Sequence, residues 1–243
     1  MNDNPATPEG LPVTTPAFEQ DAERIAAAMC RYTVSELADM LGVNREIAIE
    51  THKRYNDFFE ASTRHQALFA YDGIVFKKID PATISFKDLE YANGHVNICS
   101  FVYGLLRPLD NINPYRLEGK VELPALAAGS MFDYWRPKLT DRLIERVKSD
   151  DGILVNLASD EMRSLFDWRR IEKEVKIVTP IFKVEKNGRL RTIVVYAKMC
   201  RGAMTRFIVK NRITDPSELK HFNFEGFEYI EATSAGPLFA VKA

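Results

Sequence analysis

The sequence contains few cysteines and no excess of either charge. Cys30, Cys99 and Cys200 lie far apart and form no Cys-x-x-Cys pair, which argues against a disulfide framework and against a cysteine-based zinc site. The 33 basic and 34 acidic residues give a net charge of -1, so attraction to an anionic partner must come from local clusters. The four histidines are scattered without metal-ligand spacing. The sequence therefore gives no support for a metal site and assigns no cofactor.

Long apolar runs are also missing. No run approaches the roughly 20 residues that a membrane-spanning helix needs. The amino terminus lacks the charged start and the apolar stretch of a secretory signal. Together with the cysteine usage, these absences predict a cytoplasmic protein without membrane contact, and they leave the oligomeric state open.

The predicted organisation is a flexible lead over residues 1–16, which contain four prolines, followed by a single α+β domain over residues 17–243. Apolar periodicity, capping residues and turn residues predict a mixed sheet with surrounding helices. Helices are expected at about 17–29, 33–41, 44–59, 85 onward, 137–148, 199–212 and 215 onward. Strands are expected at 74–79, 153–157, 227–231 and 238–241. The runs 177–185 and 190–197 are expected to form a hairpin around Asn187-Gly188. The segment 107–116 is expected to be an ordered surface loop.

Residues 33–59 are close to the helix-hairpin-helix pattern. Thr33 and Glu36 have capping-box spacing, and Gly42 permits a tight turn that brings the backbone near a phosphate. The amides at the start of the following helix would point outward with the positive end of its dipole behind them. Asn44 stands where the pattern has a second glycine. An ordinary helical hairpin packed into the core explains the same residues equally well. The candidate DNA contacts are Gly42, Val43, Asn44, Arg45 and Lys53.

The stretch 196–212 holds five cations and no acid. A phosphate-binding groove and a solvated helix face paired with acids from elsewhere are both consistent with it. The loop arginines Arg107 and Arg116 could contribute to the same groove, because guanidinium groups suit phosphate. The candidate anion-binding residues are Arg107, Arg116, Lys198, Arg201, Arg206 and Lys210.

Polar residues follow the predicted strand at 153–157, where sheets commonly present ligand-binding groups. Ser159, Glu161 and Lys198 are the catalytic candidates, while helix capping accounts for Ser159 as well. A serine-hydrolase mechanism is excluded because the Gly-x-Ser-x-Gly elbow is absent. Whether the protein is an enzyme stays open.

Several segments together resemble the YaaA family of peroxide-stress proteins, in the order of the family. These segments are 103–110 (YGLLRPLD), 114–118 (PYRLE), 156–161 (NLASDE), 196–202 (YAKMCRG) and 222–227 (FNFEGF). The resemblance implies a family-specific mixed α/β fold with a positively charged cleft, a helix-hairpin-helix unit and an association with double-stranded DNA. It also implies a role in peroxide resistance through limiting free intracellular iron. Family members usually begin with a short apolar strand and a Ser-Pro-Ala-Lys-Thr-like turn, whereas this chain opens with Met1-Asn-Asp-Asn-Pro.

Two functional hypotheses follow. In the first, the protein binds duplex DNA through a basic cleft and so limits peroxide and iron damage. In the second, it is an enzyme that acts on a phosphorylated or nucleotide-like small molecule in the same cleft.

Overall fold

The computed structural model describes residues 1–60 and 63–242, so residues 61, 62 and 243 of the predicted domain lie outside the described residues. The α-helices are α1 (Glu19–Met29), α2 (Val34–Leu41), α3 (Arg45–Asn56), α4 (Ala67–Ala70), α5 (Ile74–Ile79), α6 (Phe86–His95), α7 (Met131–Lys148), α8 (Asp160–Arg163), α9 (Trp168–Glu174) and α10 (Val194–Asn211). The strands are β1 (His65–Gln66), β2 (Ile98–Ser100), β3 (Gly104–Leu106), β4 (Asn111–Ile112), β5 (Ile153–Val155), β6 (Lys176–Val178), β7 (Ile181–Lys186), β8 (Arg189–Arg191), β9 (Glu228–Ala232) and β10 (Pro237–Lys242). Short 3-10 helices cover Pro81–Thr83, Pro124–Leu126 and Pro216–His221.

The strands form small sheets surrounded by helices, which confirms the α+β prediction. The largest sheet has the strand order β8-β7-β10-β9, with β10 parallel to β7 and the other pairs antiparallel. Two further strand pairs, β1 with β4 and β2 with β3, are antiparallel, and β5 with β6 is parallel. Among the described residues, no helix combines the length and the apolar character needed to cross a membrane.

Two hydrophobic clusters stabilise the fold. The larger cluster joins α1–α3, α6 and α7 to the loops between them, with Trp135 completely buried near its centre. The smaller cluster lies between α10 and the four-stranded sheet and includes Phe182, Met204 and Phe239. Because α10 belongs to the second cluster and also packs along α5, it connects the sheet to the helical part of the molecule.

The local sequence signals for caps and turns are confirmed. Thr33 and Glu36 form a reciprocal capping box at the start of α2, and Asn44 accepts a hydrogen bond from the amide of Ile47 at the start of α3. The Asn187-Gly188 turn has φ values of 53° and 70°, as a two-residue hairpin requires. These signals are reliable because each interaction lies within a few residues of sequence.

The strand predicted at 74–79 is wrong, because this segment is helix α5. Its Ile, Val and Phe residues favour strands, yet β propensity is decided largely by packing. Here α5 packs closely along α10, whose Gly202 lies against the carbonyl oxygen of Val75. Tertiary packing therefore overrides the local preference.

Several predicted boundaries also change. The second hairpin strand ends at Arg191 rather than continuing to residue 197, and α10 begins at Val194 rather than at residue 199. Helix α7 begins at Met131, six residues before the predicted start, because Ser130 and Asp133 form a capping box there. Pro137 therefore lies inside the helix rather than at its start. The run 177–185 is divided between β6 and β7 by Thr179 and Pro180. The helix predicted from Asp215 is a 3-10 helix.

The segment 107–116 is mostly buried, so the prediction of a surface loop is wrong. Leu109, Ile112 and Tyr115 point into the protein interior. The buried carboxylate of Asp110 accepts hydrogen bonds from the backbone amide of Arg107 and from the Thr14 hydroxyl, at 2.8 and 2.6 Å. These interactions satisfy polar groups that would otherwise prevent burial.

The first sixteen residues make specific contacts with the rest of the protein. Leu11 is buried in the larger core cluster, and Thr14 forms a backbone bridge with Asp110. The guanidinium of Arg54 holds the side chain of Asp3 at 3.0 Å. Composition does not predict these contacts, since each depends on residues far along the chain.

Candidate functional site

The α2–α3 hairpin has the backbone geometry that was expected around Gly42. Gly42 adopts the left-handed conformation, with φ 61° and ψ 40°, and an added Cβ would meet no atom within 4 Å. Gly42, Asn44 and Arg45 are exposed, whereas Val43 is half-buried against the core. The start of α3 is therefore accessible, with the amide of Ile47 already bonded to the side chain of Asn44.

The charges of this hairpin are less favourable for an anion than its backbone. Residues 33–60 contain six acidic and three basic residues. Arg54 is engaged by Glu50 at 2.6 Å and by Asp3 at 3.0 Å. Arg45 and Lys53 have no ion pair among the described residues. Any phosphate contact here would depend on these two side chains and on the α3 amides.

The cations of α10 divide into two groups. Arg206 donates from Nη1 to the carbonyl oxygens of Ile79 and Asp80, at 2.8 and 2.9 Å, and so ties α10 to the end of α5. Arg212, just after the helix, contacts Asp88 at 3.3 Å. Lys198 and Lys210 are exposed and, within the described parts of the chain, have no ion pair. The helix therefore offers two free ammonium groups, while two guanidinium groups hold the fold together.

Arg201 lies near the polar segment that follows β5. Burial lowers the pKa of Arg201, and the nearby Asp160 carboxylate partly offsets this effect. Asp160 stands between Ser159 and Glu161 and forms an ion pair with Arg163 at 3.2 Å. Among the described residues, no hydrogen bond or ion pair joins Arg201 to Ser159 or Glu161. Ser159 accepts a hydrogen bond from the amide of Met162, as expected of a helix cap, and Glu161 is exposed.

The two loop arginines have other partners. Arg107 donates from Nε and Nη2 to Oδ1 of Asp110, at 3.0 and 2.8 Å. Arg116 pairs with Glu118 at 3.0 Å. Among the described residues, no hydrogen bond or ion pair joins either arginine to a cation or polar candidate on α8 or α10. The contacts thus define separate groups. A common pocket stays a prediction, in which Arg107 and Arg116 would meet Ser159, Glu161, Lys198 and Arg201.

Other cations escaped the sequence analysis. Lys186, Arg189 and Arg191 lie at the tip of the β7–β8 hairpin and are exposed. The register pairs Lys186 with Arg189 and Val184 with Arg191, so the three cations share one face of the hairpin. No ion pair involves them within the described residues. The spacing of these three cations around the Asn187-Gly188 turn could have indicated from the sequence that they lie on the same face of the hairpin.

Two further arginines, Arg142 and Arg146, lie one turn apart on α7 and line a cavity together with Arg107. Like charges at this spacing repel each other on a helix. The spacing is visible in the sequence, but Arg107 lies 35 residues before Arg142, and no local pattern indicates that they meet.

The fold described here is that of an α+β protein in which small mixed sheets are surrounded by helices. A family model described as "Peroxide stress protein YaaA" matches residues 1–233. The chain therefore belongs to the YaaA family of peroxide-stress proteins, as the sequence segments indicated.

Curated relatives agree with this assignment. A UPF0246 protein of Bacteroides thetaiotaomicron is 55% identical over 226 residues, which cover 92% of this chain and 88% of the relative. A UPF0246 protein of Phocaeicola vulgatus is 52% identical over 90% of this chain and 86% of its own length. A UPF0246 protein of Clostridium botulinum is 38% identical over 93% of this chain and 89% of its own length.

Proposed function

We propose that this peroxide-stress protein binds duplex DNA through its phosphates and thereby limits damage by peroxide and free iron. One observation carries the proposal. Residues 183–212 contain nine basic residues and one acidic residue, and five exposed cations there have no ion pair within the described parts of the chain. These five are Lys186, Arg189, Arg191, Lys198 and Lys210. Unneutralised cations on one segment favour an anionic partner.

The α2–α3 hairpin supplies a second contact in this proposal. Left-handed Gly42 and the open space around it allow the backbone to approach a phosphate, and Arg45 and Lys53 supply the charge. Because the proposed contacts are to phosphates, we expect binding to show little sequence preference. Phosphates held by protein cations retain fewer metal counterions, which links DNA binding to lower iron damage.

Fluorescence anisotropy with a labelled DNA duplex, measured over a range of salt concentrations, tests this proposal. We expect the affinity of the wild-type protein to fall steeply with salt. Arg189→Glu/Arg191→Glu should flatten the slope of log affinity against log salt by about 2 units, because each lost phosphate contact removes about 0.9. Arg45→Glu/Lys53→Glu should flatten it by a similar amount.

The matched control is Lys120→Glu/Lys173→Glu, which makes the same charge change at exposed positions outside both surfaces. It should leave the slope near the wild-type value. Salt-independent binding by the wild-type protein, or an equal loss in the control, would show that these surfaces do not hold DNA.

The second candidate function is an enzyme for a phosphorylated or nucleotide-like small molecule. Its support is the position of half-buried Arg201 near Asp160, between the candidates Ser159 and Glu161, with Lys198 one turn away on α10. In this proposal Arg201 binds a phosphate and Glu161 acts as general base. Phosphate release from a panel of nucleotides should then be detectable and should be lost in Arg201→Gln. No release from any nucleotide by the wild-type protein would contradict it.

A further inference from the structure

A cavity of about 210 Å³ lies beside α7, apart from the surfaces assigned to DNA. Three arginines line it. Arg142 and Arg146 come from successive turns of α7, and Arg107 comes from the buried segment that follows β3. Leu105 contributes an apolar side to the cavity.

The lining has an excess of positive charge. Asp110 is the only acidic residue among the lining residues, and its Oδ1 is already bonded by Arg107 and by the hydroxyl of Thr14. Within the described residues, the nearest carboxylate oxygen to Arg142 is that of Glu145 at 3.9 Å, and Arg146 has no ion pair. The lining residues alone carry three guanidinium groups and one carboxylate, and the Glu145 contact to Arg142 reduces this excess of positive charge. A phosphate anion would neutralise the remainder.

Arg146 has donors that the protein does not use. Its Nη2 donates to the carbonyl oxygen of Gly94 at 3.0 Å, which satisfies the end of α6. Its Nε is buried and, over residues 1–60 and 63–242, has no hydrogen-bond partner. Burial lowers the pKa of Arg146, and the charges of Arg142 and Arg107 lower it further. Capping of α6 therefore explains one of its donors, and the carboxylates of Asp110 and Asp150 offset part of the effect of the two neighbouring arginines on its pKa.

Asn97 adds a neutral polar group. Its side chain lines the cavity and, within the described parts of the chain, makes no hydrogen bond. An amide beside guanidinium groups can donate to a further oxygen of the same ligand. The lining thus combines charge, directed donors and a limited volume.

We propose that this cavity binds a small phosphate-bearing anion, either inorganic phosphate or a phosphate monoester. Guanidinium forks match the geometry of phosphate oxygens, and three of them arriving from two segments fix both position and charge. The site is independent of the proposed DNA binding, because none of its lining residues lies in the α2–α3 hairpin, the β7–β8 hairpin or α10.

Isothermal titration calorimetry with inorganic phosphate tests the site on the full-length protein. We expect a binding heat for the wild-type protein and an affinity about tenfold lower in Arg142→Gln and in Arg146→Gln, since each change removes a charge-assisted contact. Arg146→Lys keeps the charge but not the fork and should bind phosphate with an intermediate affinity.

Arg136→Gln is the matched control, because Arg136 lies on the same helix but does not line the cavity. It should bind phosphate like the wild-type protein. Arg146 also satisfies the end of α6, so circular dichroism must show that its variants are folded. Arg142 is exposed and makes no such contact, which keeps Arg142→Gln decisive. Absence of phosphate binding by the wild-type protein, wild-type affinity in Arg142→Gln, or an equal loss in Arg136→Gln would overturn the proposal.

A second measurement decides whether the bound phosphate group belongs to a small molecule or to a nucleic acid. If the ligand is a free phosphate compound, Arg142→Gln should leave the salt slope of duplex binding unchanged. A slope flattened by about 1 unit would assign the site to a nucleic-acid phosphate instead. Failure of DNA binding in the wild-type protein leaves the calorimetric result intact, so the two proposals can fail separately.

Discussion

The α2–α3 hairpin and helix α10 are the two regions in which the sequence predicts phosphate contact, and they differ in charge and in packing. The hairpin has an open, left-handed glycine, but acids outnumber bases around it by two to one over residues 33–60. Helix α10 belongs to a basic segment, yet it is packed on α5 along one side and on the sheet along another. Backbone geometry suited to an anion and positive charge therefore occur in different places.

This difference separates structural cations from available ones. On α10, Arg206 binds carbonyl oxygens at the end of α5 and does not need an external anion. Lys198 and Lys210 have no such partner among the described residues. A cluster of cations in a sequence thus overstates the charge that is free to bind a ligand, because the fold uses part of it.

The largest expected effect concerns the glycine of α10. Gly202→Ala should destabilise the protein by about 3 kcal/mol, because the new Cβ would overlap the carbonyl oxygen of Val75 and lie 2.9 Å from Cβ of Lys78. A glycine-to-alanine substitution in an exposed part of a helix normally stabilises a protein by about 1 kcal/mol. A loss of stability in Gly202→Ala would therefore itself indicate tight packing. Urea unfolding measures the free energy.

Gly42→Ala is the matched comparison from the hairpin. Its Cβ would meet no atom within 4 Å, so only the left-handed backbone conformation opposes the change, at a cost of about 1 kcal/mol. The two substitutions are chemically identical, but the sites differ in backbone conformation and in surroundings. A Gly202→Ala protein as stable as the wild type, or less affected than Gly42→Ala, would mean that the α5–α10 contact is looser than described.

The same contrast explains how much of the fold the sequence could predict. The caps at Thr33 and Asn44 and the turn at Asn187-Gly188 were predictable, because each depends on residues three or fewer positions away. The helical state of 74–79 was not, because it depends on packing against Gly202, more than 120 residues later. The strand prediction for this segment was wrong because it used only the strand-forming character of its apolar residues.

The candidate site shows the same limit. Residue types identified the cations, but ion pairing with distant carboxylates decides which of them are free. The pairing of Arg206 with the end of α5 and the meeting of Arg107 with Arg146 both join segments that no local pattern relates. The membership of the family was predictable because it rests on several segments in order rather than on contacts.

The smallest expected effect concerns pH and the start of the hairpin. The amide and hydroxyl of Thr33 both donate to Oε2 of Glu36 at 2.8 Å, and they lower the pKa of this carboxyl below its ordinary value of 4.5. A carboxyl whose pKa is lowered by folding stabilises the protein above the unfolded pKa, and this contribution is lost as the pH falls through the folded pKa. Helix α10 has no capping carboxylate, because its N-cap residue is Ile193 without a side-chain cap.

Glu36→Gln should therefore be slightly less stable than the wild type at neutral pH, and the difference should close as the pH falls well below 4.5. Urea unfolding at a series of pH values measures this difference. Glu90→Gln is the control, because Glu90 is exposed on α6 and its carboxylate makes no hydrogen bond or ion pair within the described residues. A difference between Glu36→Gln and wild type that persists or grows in acid would mean that the ionised capping box does not stabilise the hairpin. In that case the hairpin would depend on core packing alone.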